Sequence, residues 1–169
     1  IIGMGNVALD VARILSKTEA EFEGSDIVAH ALELLRDSNI ETITILGRRG
    51  PHQIMMTPKE LGELLRLERA VPRLENADLP TPESDDMLDP GQRKSVALLR
   101  EFAALSPSDR AGKALSINFD FFASPTLIEQ EGGQLSGLVV ERTELKDGRA
   151  VGSGETYRIP ADLLISCIG

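Results

Sequence analysis

Ile1-Ile2-Gly3-Met4-Gly5-Asn6-Val7-Ala8-Leu9-Asp10-Val11-Ala12-Arg13-Ile14-Leu15 decides the fold. Its spacing is that of a strand-to-helix turn built to approach phosphate. Gly3 permits the tight turn, Gly5 lets backbone come close to a diphosphate with no Cβ in the way, and Ala8 keeps helix and strand close. Val7, Ala8, Val11, Ala12 and Leu15 follow at helical spacing, so a helix over 6–16 is expected, with its amides and positive dipole end at the turn. Only Ile1 and Ile2 precede Gly3, too few for a strand of ordinary length. The plain alternative is a glycine turn that holds no ligand, because the pattern needs its context to mean more.

Outward from the turn, strands and helices alternate. A Glu-rich loop runs to Ser25, and Ser25 or Asp26 is expected to cap a helix reaching about Arg36, with Ile27, Ala31, Leu34 and Leu35 on its apolar side. Residues 42–46, Thr-Ile-Thr-Ile-Leu, read as a strand ending in Gly47, joined to the stub strand by a right-handed parallel crossover. Residues 115–121 alternate as a half-buried strand does, and further strands are expected over 125–131, 135–145 and 156–159. Gly132-Gly133 suits a hairpin between the first two of these. The acidic, proline-containing stretch 72–90 reads as a mobile surface loop. Residues 163–168 are almost continuously apolar, as in a strand buried on both faces of a parallel sheet, and Cys167 is expected in the core there. The expectation is an α/β fold: Rossmann-like, a mostly parallel sheet with flanking helices and a small antiparallel β extension.

The second chemical feature is Gly47-Arg48-Arg49-Gly50-Pro51. An acidic residue at the end of the second strand would bond a ribose 2′-OH, whereas arginine suits a 2′-phosphate. No acid stands here and two arginines do, so Arg48 and Arg49 favour NADP over NAD through paired guanidinium hydrogen bonds. The alternative is a solvated arginine pair in a turn. The linker from the glycine turn exceeds the usual ~20 residues, consistent with an added helix between 16 and 39.

Composition sets outer limits. At 169 residues and 41% hydrophobic, the chain has the content of one domain with a real core. No apolar run approaches the ~20 residues that span a bilayer, and the start does not resemble a signal peptide. A single cysteine allows no internal disulfide, and with two histidines it argues against structural zinc; a cytoplasmic location is expected. A net charge of −9, no tryptophan and one tyrosine argue against a nucleic-acid surface.

The motif from Gly3 to Leu15, then Gly47-Arg48-Arg49-Gly50-Pro51 with Gln53, Thr57 and Lys59-Glu60-Leu61, resembles adrenodoxin-reductase-type ferredoxin–NADP reductase. Phe121-Phe122-Ala123-Ser124-Pro125 and Ser166-Cys167-Ile168-Gly169 resemble segments of that family in the same order. The resemblance implies a two-domain flavoprotein in which this chain, 1–169, is the NADP-binding domain inserted into a discontinuous FAD domain. NADPH would pass a hydride to FAD, which sends electrons singly to a ferredoxin-like iron–sulfur protein. By that likeness Gly3, Met4, Gly5 and Asn6, with Val7 in the same turn, hold the pyrophosphate, Arg48 and Arg49 the 2′-phosphate, and Glu60 contacts the nucleotide. Glu60 has a second reading, since Thr57-Pro58-Lys59-Glu60 is a capping-box sequence.

This chain departs from the family's pattern at His52, where an aliphatic residue is common, and at Ile54-Met55-Met56. His52 is expected to be an exposed bystander. The Arg93-Lys94 pair, placed before a helix carrying Val96, Leu98, Leu99 and Phe102, matches part of a basic cluster that docks the acidic redox partner; a solvated helix face is the other reading. No acid–base pair, triad or metal cluster stands out, as suits hydride transfer between cofactors, so the chain without FAD is expected to bind NADP(H) and catalyse nothing. The short first strand suggests excision from a longer chain and an exposed apolar surface prone to self-association. Two alternatives remain: another flavin-dependent NADPH oxidoreductase of the glutamate synthase small-subunit type, and a non-catalytic nucleotide-binding module.

Overall fold

The computed structural model describes residues 1–74 and 79–168. The helix behind the glycine turn is α1 (Asn6–Ser16). Its buried face is Ala8, Leu9, Ala12 and Ser16, while Val7 is 63% exposed. The face is thus rotated from the one the aliphatic spacing suggested. α1 packs through Ala8 and Ala12, whose small side chains permit close approach, and leaves Val7 outside at the turn. At its other end Arg69 closes the helix, donating from a terminal nitrogen to Leu15 O at 2.9 Å and from Nε to Ser16 O at 3.2 Å.

The second helix, α2 (Ala29–Arg36), starts later than Ser25 or Asp26 would place it. Ser25 donates its hydroxyl to Phe22 O at 2.7 Å, closing its own turn, and Val28 stands at the N-cap without a side-chain bond. No residue of α2 is buried and Leu34 is 73% exposed, so its apolar side is not a core face.

The parallel sheet has the order β1-β3-β2, with β1 (Thr42–Gly47), β2 (Ala70–Leu74) and β3 (Leu115–Phe121). β3 shows the expected alternation: Leu115, Ile117, Phe119 and Phe121 are buried. Phe119 packs at a tilt against Phe102 of α4 (Pro90–Ala104), ring centroids 5.8 Å apart, inside the main core. β2 corrects the reading of 72–90 as a loop. Proline discourages a strand, but among the described residues β2 pairs only with β3, and an edge strand tolerates the missing N–H of Pro72. Residues 82–87 form a 3₁₀ segment, and 75–78 lie outside the described residues.

The stub strand is held on both sides. Ile2 bridges Leu46 and Ser166, both in parallel, through Ile2 N to Ile165 O (2.8 Å), Cys167 N to Ile2 O (2.7 Å) and Gly3 N to Leu46 O (3.0 Å). The segment 163–168 is therefore not a strand buried on both faces. Among the described residues it pairs only with the stub, Leu163 and Ile168 are 57% and 71% exposed, and Cys167 is half-buried. A cleft of about 680 Å³ opens beside Ile1, between residues 39–44 and 160–165, and contains none of the residues singled out above for phosphate binding.

The antiparallel extension is β4 (Ala123–Glu131), β5 (Gln134–Lys146) and β6 (Arg149–Pro160), in that order. Gly132 and Gly133, both at positive φ, make the expected β4–β5 hairpin. β6 begins seven residues earlier than 156, because Asp147 and Gly148, at φ 51° and 74°, turn the chain back onto β5 before any hydrophobic alternation starts. The two sheets meet where Leu46, Ala123, Leu138 and Val140 form a small second core.

Candidate nucleotide-binding site

The shape of the glycine turn has local causes. Gly3 has φ +127°, and a Cβ there would lie 2.6 Å from Cys167 O, so both backbone conformation and the neighbouring segment require glycine. Gly5 has ordinary extended backbone and is the N-cap of α1; a Cβ there would meet nothing within 4 Å. Its open side faces no protein. Gly5 has no side-chain oxygen to cap α1, and the first turn contains no acid, so the positive end of α1 is uncompensated. That is the electrostatic state in which an anion is welcome.

Met4 packs inward: a Cβ on Gly47 would lie 3.1 Å from Met4 Cβ. This contact brings the turn against the end of β1, directly before the two arginines. Asn6 also faces protein, its Oδ1 accepting from Thr57 N at 2.8 Å. Val7 is exposed beside it.

Arg48 and Arg49 are both exposed, and among the described residues neither guanidinium has a hydrogen-bond or ion-pair partner. Their backbone is held from behind. Thr143 of β5 donates its hydroxyl to Arg48 O at 2.8 Å, and Phe122 N donates to Arg49 O at 3.3 Å. Gly50 then passes so close to the Phe122 ring that a Cβ would lie 2.4 Å from Cζ. Gly50 N donates to Gln53 Oε1 at 3.1 Å and its carbonyl accepts from Gln53 N at 3.0 Å, closing a 3₁₀ turn over Pro51–Gln53.

Glu60 lies in the first turn of α3 (Pro58–Glu63), with Pro58 at its first position. Its carboxylate accepts from the Thr57 hydroxyl at 2.7 Å rather than from the Thr57 amide, which Asn6 has taken. The capping box is thus replaced by a link from the glycine turn to α3, and Glu60 stays half-buried at its edge. Ile54 and Met56 are buried, while Met55, 68% exposed, forms a parallel bridge with Gly5.

Curated relatives of this sequence carry one chemistry in their names. The NADPH:adrenodoxin oxidoreductase of Arabidopsis thaliana is 34% identical over 181 residues, covering 100% of this chain and 38% of its own length. Its rat counterpart is 37% identical, covering 100% of the chain and 37% of its own length. The NADPH-ferredoxin reductase FprA of Mycobacterium tuberculosis is 37% identical over 177 residues, with 100% and 38% covered. A solved structure of that FprA in complex with NADPH matches with TM-score 0.87 at 36% identity, over 96% of this chain and 36% of that one. No family model matches the chain. The chain is homologous to part of the adrenodoxin-reductase-type ferredoxin–NADP reductases. It spans somewhat more than a third of the length of these relatives.

His52 is not an exposed bystander. It is half-buried, and its Nε2 meets Asp85 Oδ1 at 2.8 Å. Asp85 also accepts from Arg100 of α4 through both oxygens, at 2.9 and 3.0 Å. Arg100, first, and then His52 hold the Asp85 carboxyl below the usual carboxylate range, against the opposing effect of burial. Arg93 and Lys94 lie inside α4, not before it. Asp89 caps that helix, accepting from Gly91 N and Gln92 N, and Arg93 donates to Asp86 O at 3.0 Å. Lys94 is exposed. Sequence reasoning missed Phe122, Thr143 and the His52–Asp85–Arg100 cluster, since nothing in local spacing joins residues so far apart.

Proposed function

We propose that residues 1–169 form the NADP(H)-binding domain of a flavin-dependent reductase. One observation carries the reading. An uncapped helix end at Gly5, open in front, lies one strand away from two guanidiniums, Arg48 and Arg49, that have no partner among the described residues. A dinucleotide with a diphosphate in the middle and a third phosphate on one ribose has that charge pattern. Gly3, Met4, Gly5, Asn6 and Val7 shape the diphosphate turn, mainly by backbone, since Met4 and Asn6 turn their side chains to protein. Arg48 and Arg49 meet the 2′-phosphate, and Glu60 borders the nucleotide from α3.

Bound NADPH supplies a hydride; the chain binds and orients it. FAD is held by parts of the protein other than these residues, and the chain alone binds nucleotide without turnover. A ferredoxin-like iron–sulfur protein is the electron partner, in keeping with the names of the relatives. Among the described residues no helix is long and apolar enough to cross a membrane, and a cytoplasmic location is our reading of the single cysteine; several relatives are named as mitochondrial.

Calorimetric titration with NADP⁺ and NAD⁺, repeated with Arg48→Ala and Arg49→Ala, tests the proposal. NADP⁺ should bind more tightly, and loss of either guanidinium should cost about 1.5–3 kcal/mol toward NADP⁺ only, the scale of a charge-assisted contact. Equal binding of both nucleotides, unchanged in the variants, would remove the arginines from the site.

A further inference from the structure

The loop that carries Arg48 and Arg49 is fixed on two sides, and the second side is unusual. From the antiparallel sheet come Thr143 to Arg48 O and Phe122 N to Arg49 O. From the other side comes the 3₁₀ turn Pro51–Gln53, closed on Gly50, with Pro51 buried. His52 is the middle residue of that turn. Its carbonyl accepts from Gln92 of α4 at 3.4 Å, and its ring reaches Asp85 in the 82–87 segment. Asp85 is locked in turn by the two-pronged bond from Arg100, whose guanidinium also donates to Pro80 O at 2.9 Å.

The chemistry of the cluster is one-directional. An ionised carboxylate only accepts, so the His52 Nε2 facing Asp85 bears the hydrogen and donates it. Side-chain exposures of 18% for His52, 14% for Asp85 and 25% for Arg100 leave little water to replace these bonds. The turn behind the arginines is thus anchored to α4 through a charged relay, while the guanidiniums themselves have no partner among the described residues. A fork that must meet a phosphate with two parallel bonds depends on the backbone from which it projects.

We propose that His52, held by Asp85 and Arg100, is a positioning residue for the Arg48–Arg49 pair, so that preference for a 2′-phosphate depends on a side chain that does not touch the nucleotide. The proposal rests on the NADP-binding reading and deepens it.

The test measures dissociation constants for NADP⁺ and NAD⁺ on the full-length protein, for wild type, His52→Leu, His52→Gln, Asp85→Asn, Arg48→Ala and Arg49→Ala. Thermal unfolding alongside confirms that each variant is folded. His52→Leu and Asp85→Asn should weaken NADP⁺ binding about five- to tenfold and leave NAD⁺ within about twofold, because only the 2′-phosphate contact loses its aim. His52→Gln, whose amide N–H can still donate to Asp85, should restore most of the loss. Arginine variants that abolish the preference while His52→Leu and Asp85→Asn leave it intact would overturn the relay alone. Equal weakening toward both nucleotides in His52→Leu would also overturn it, as a general loosening. A wild-type protein without preference would overturn the NADP reading, and the relay with it.

Discussion

Asn6 Oδ1 accepts the backbone N–H of Thr57 at 2.8 Å, tying the glycine turn to the start of α3. Asparagine at the first helical position of α1 therefore braces the glycine turn against the loop that starts α3. Asn6→Asp keeps an acceptor at that place but sets a negative charge at the helix end that the diphosphate needs. It should fold with nearly wild-type stability and lose affinity for NADP⁺ and NAD⁺ alike, about tenfold or more, since the charge opposes the common diphosphate. Calorimetry with both nucleotides checks this; a loss confined to NADP⁺ would place Asn6 near the 2′-phosphate instead.

The two glycines of the turn should separate stability from binding. Gly3→Ala must adopt φ +127° and push into Cys167 O, so it should destabilise by about 1–3 kcal/mol from backbone strain alone, with overlap added. Gly5→Ala has extended backbone and open space, so denaturant midpoints should barely move. Its methyl group would stand where a diphosphate approaches, and nucleotide affinity should fall sharply. Tight binding by a stable Gly5→Ala variant would contradict the proposed diphosphate position.

What could be seen in the sequence follows from how local each signal is. The turn, α1, β1 and β3 announce themselves through glycine spacing and periodicity within a dozen residues, and the structure has them at those positions. The β4–β5 hairpin does the same through Gly132-Gly133. β2 was hidden because Pro72 counts against a strand unless one knows that the strand lies at an edge, a fact of tertiary order. The 163–168 segment misled in the opposite sense, since apolar composition reports what a strand could bury, not whether neighbours are present on both faces. Arg48 and Arg49 were legible as charges. Their supports, Thr143 at 95 residues' remove and Asp85 at 33 from His52, come together only through the fold.

Arg69 joins the edge strand to the end of α1 by donating to Leu15 O and Ser16 O. Arg69→Ala leaves two terminal carbonyls without these partners and should cost about 1–2 kcal/mol in chemical denaturation. Arg69→Lys, with one compact ammonium, should recover only part of that loss. Nucleotide affinity should stay unchanged, because the contact lies at the opposite end of α1 from Gly5.

Asp85 makes stability depend on acid pH in a definite direction. Its folded carboxyl is held below the ordinary value of 3.8 by Arg100 and His52, so the unfolded chain takes up this proton first as pH falls. The stabilisation from Asp85 is therefore fully present above pH 3.8, declines below it, and is lost once pH passes through the lower folded value. Asp85→Asn removes that dependence. At neutral pH the variant should be less stable by about 1.5–3 kcal/mol, the worth of hydrogen bonds to a charged acceptor, and the gap to wild type should narrow as the pH is lowered below 3.8. Urea midpoints of both proteins from pH 7 down to the limit of folding measure the gap directly. A gap that stays constant across that range would mean that folding does not change the proton affinity of Asp85, and that Arg100 and His52 do not hold its charge.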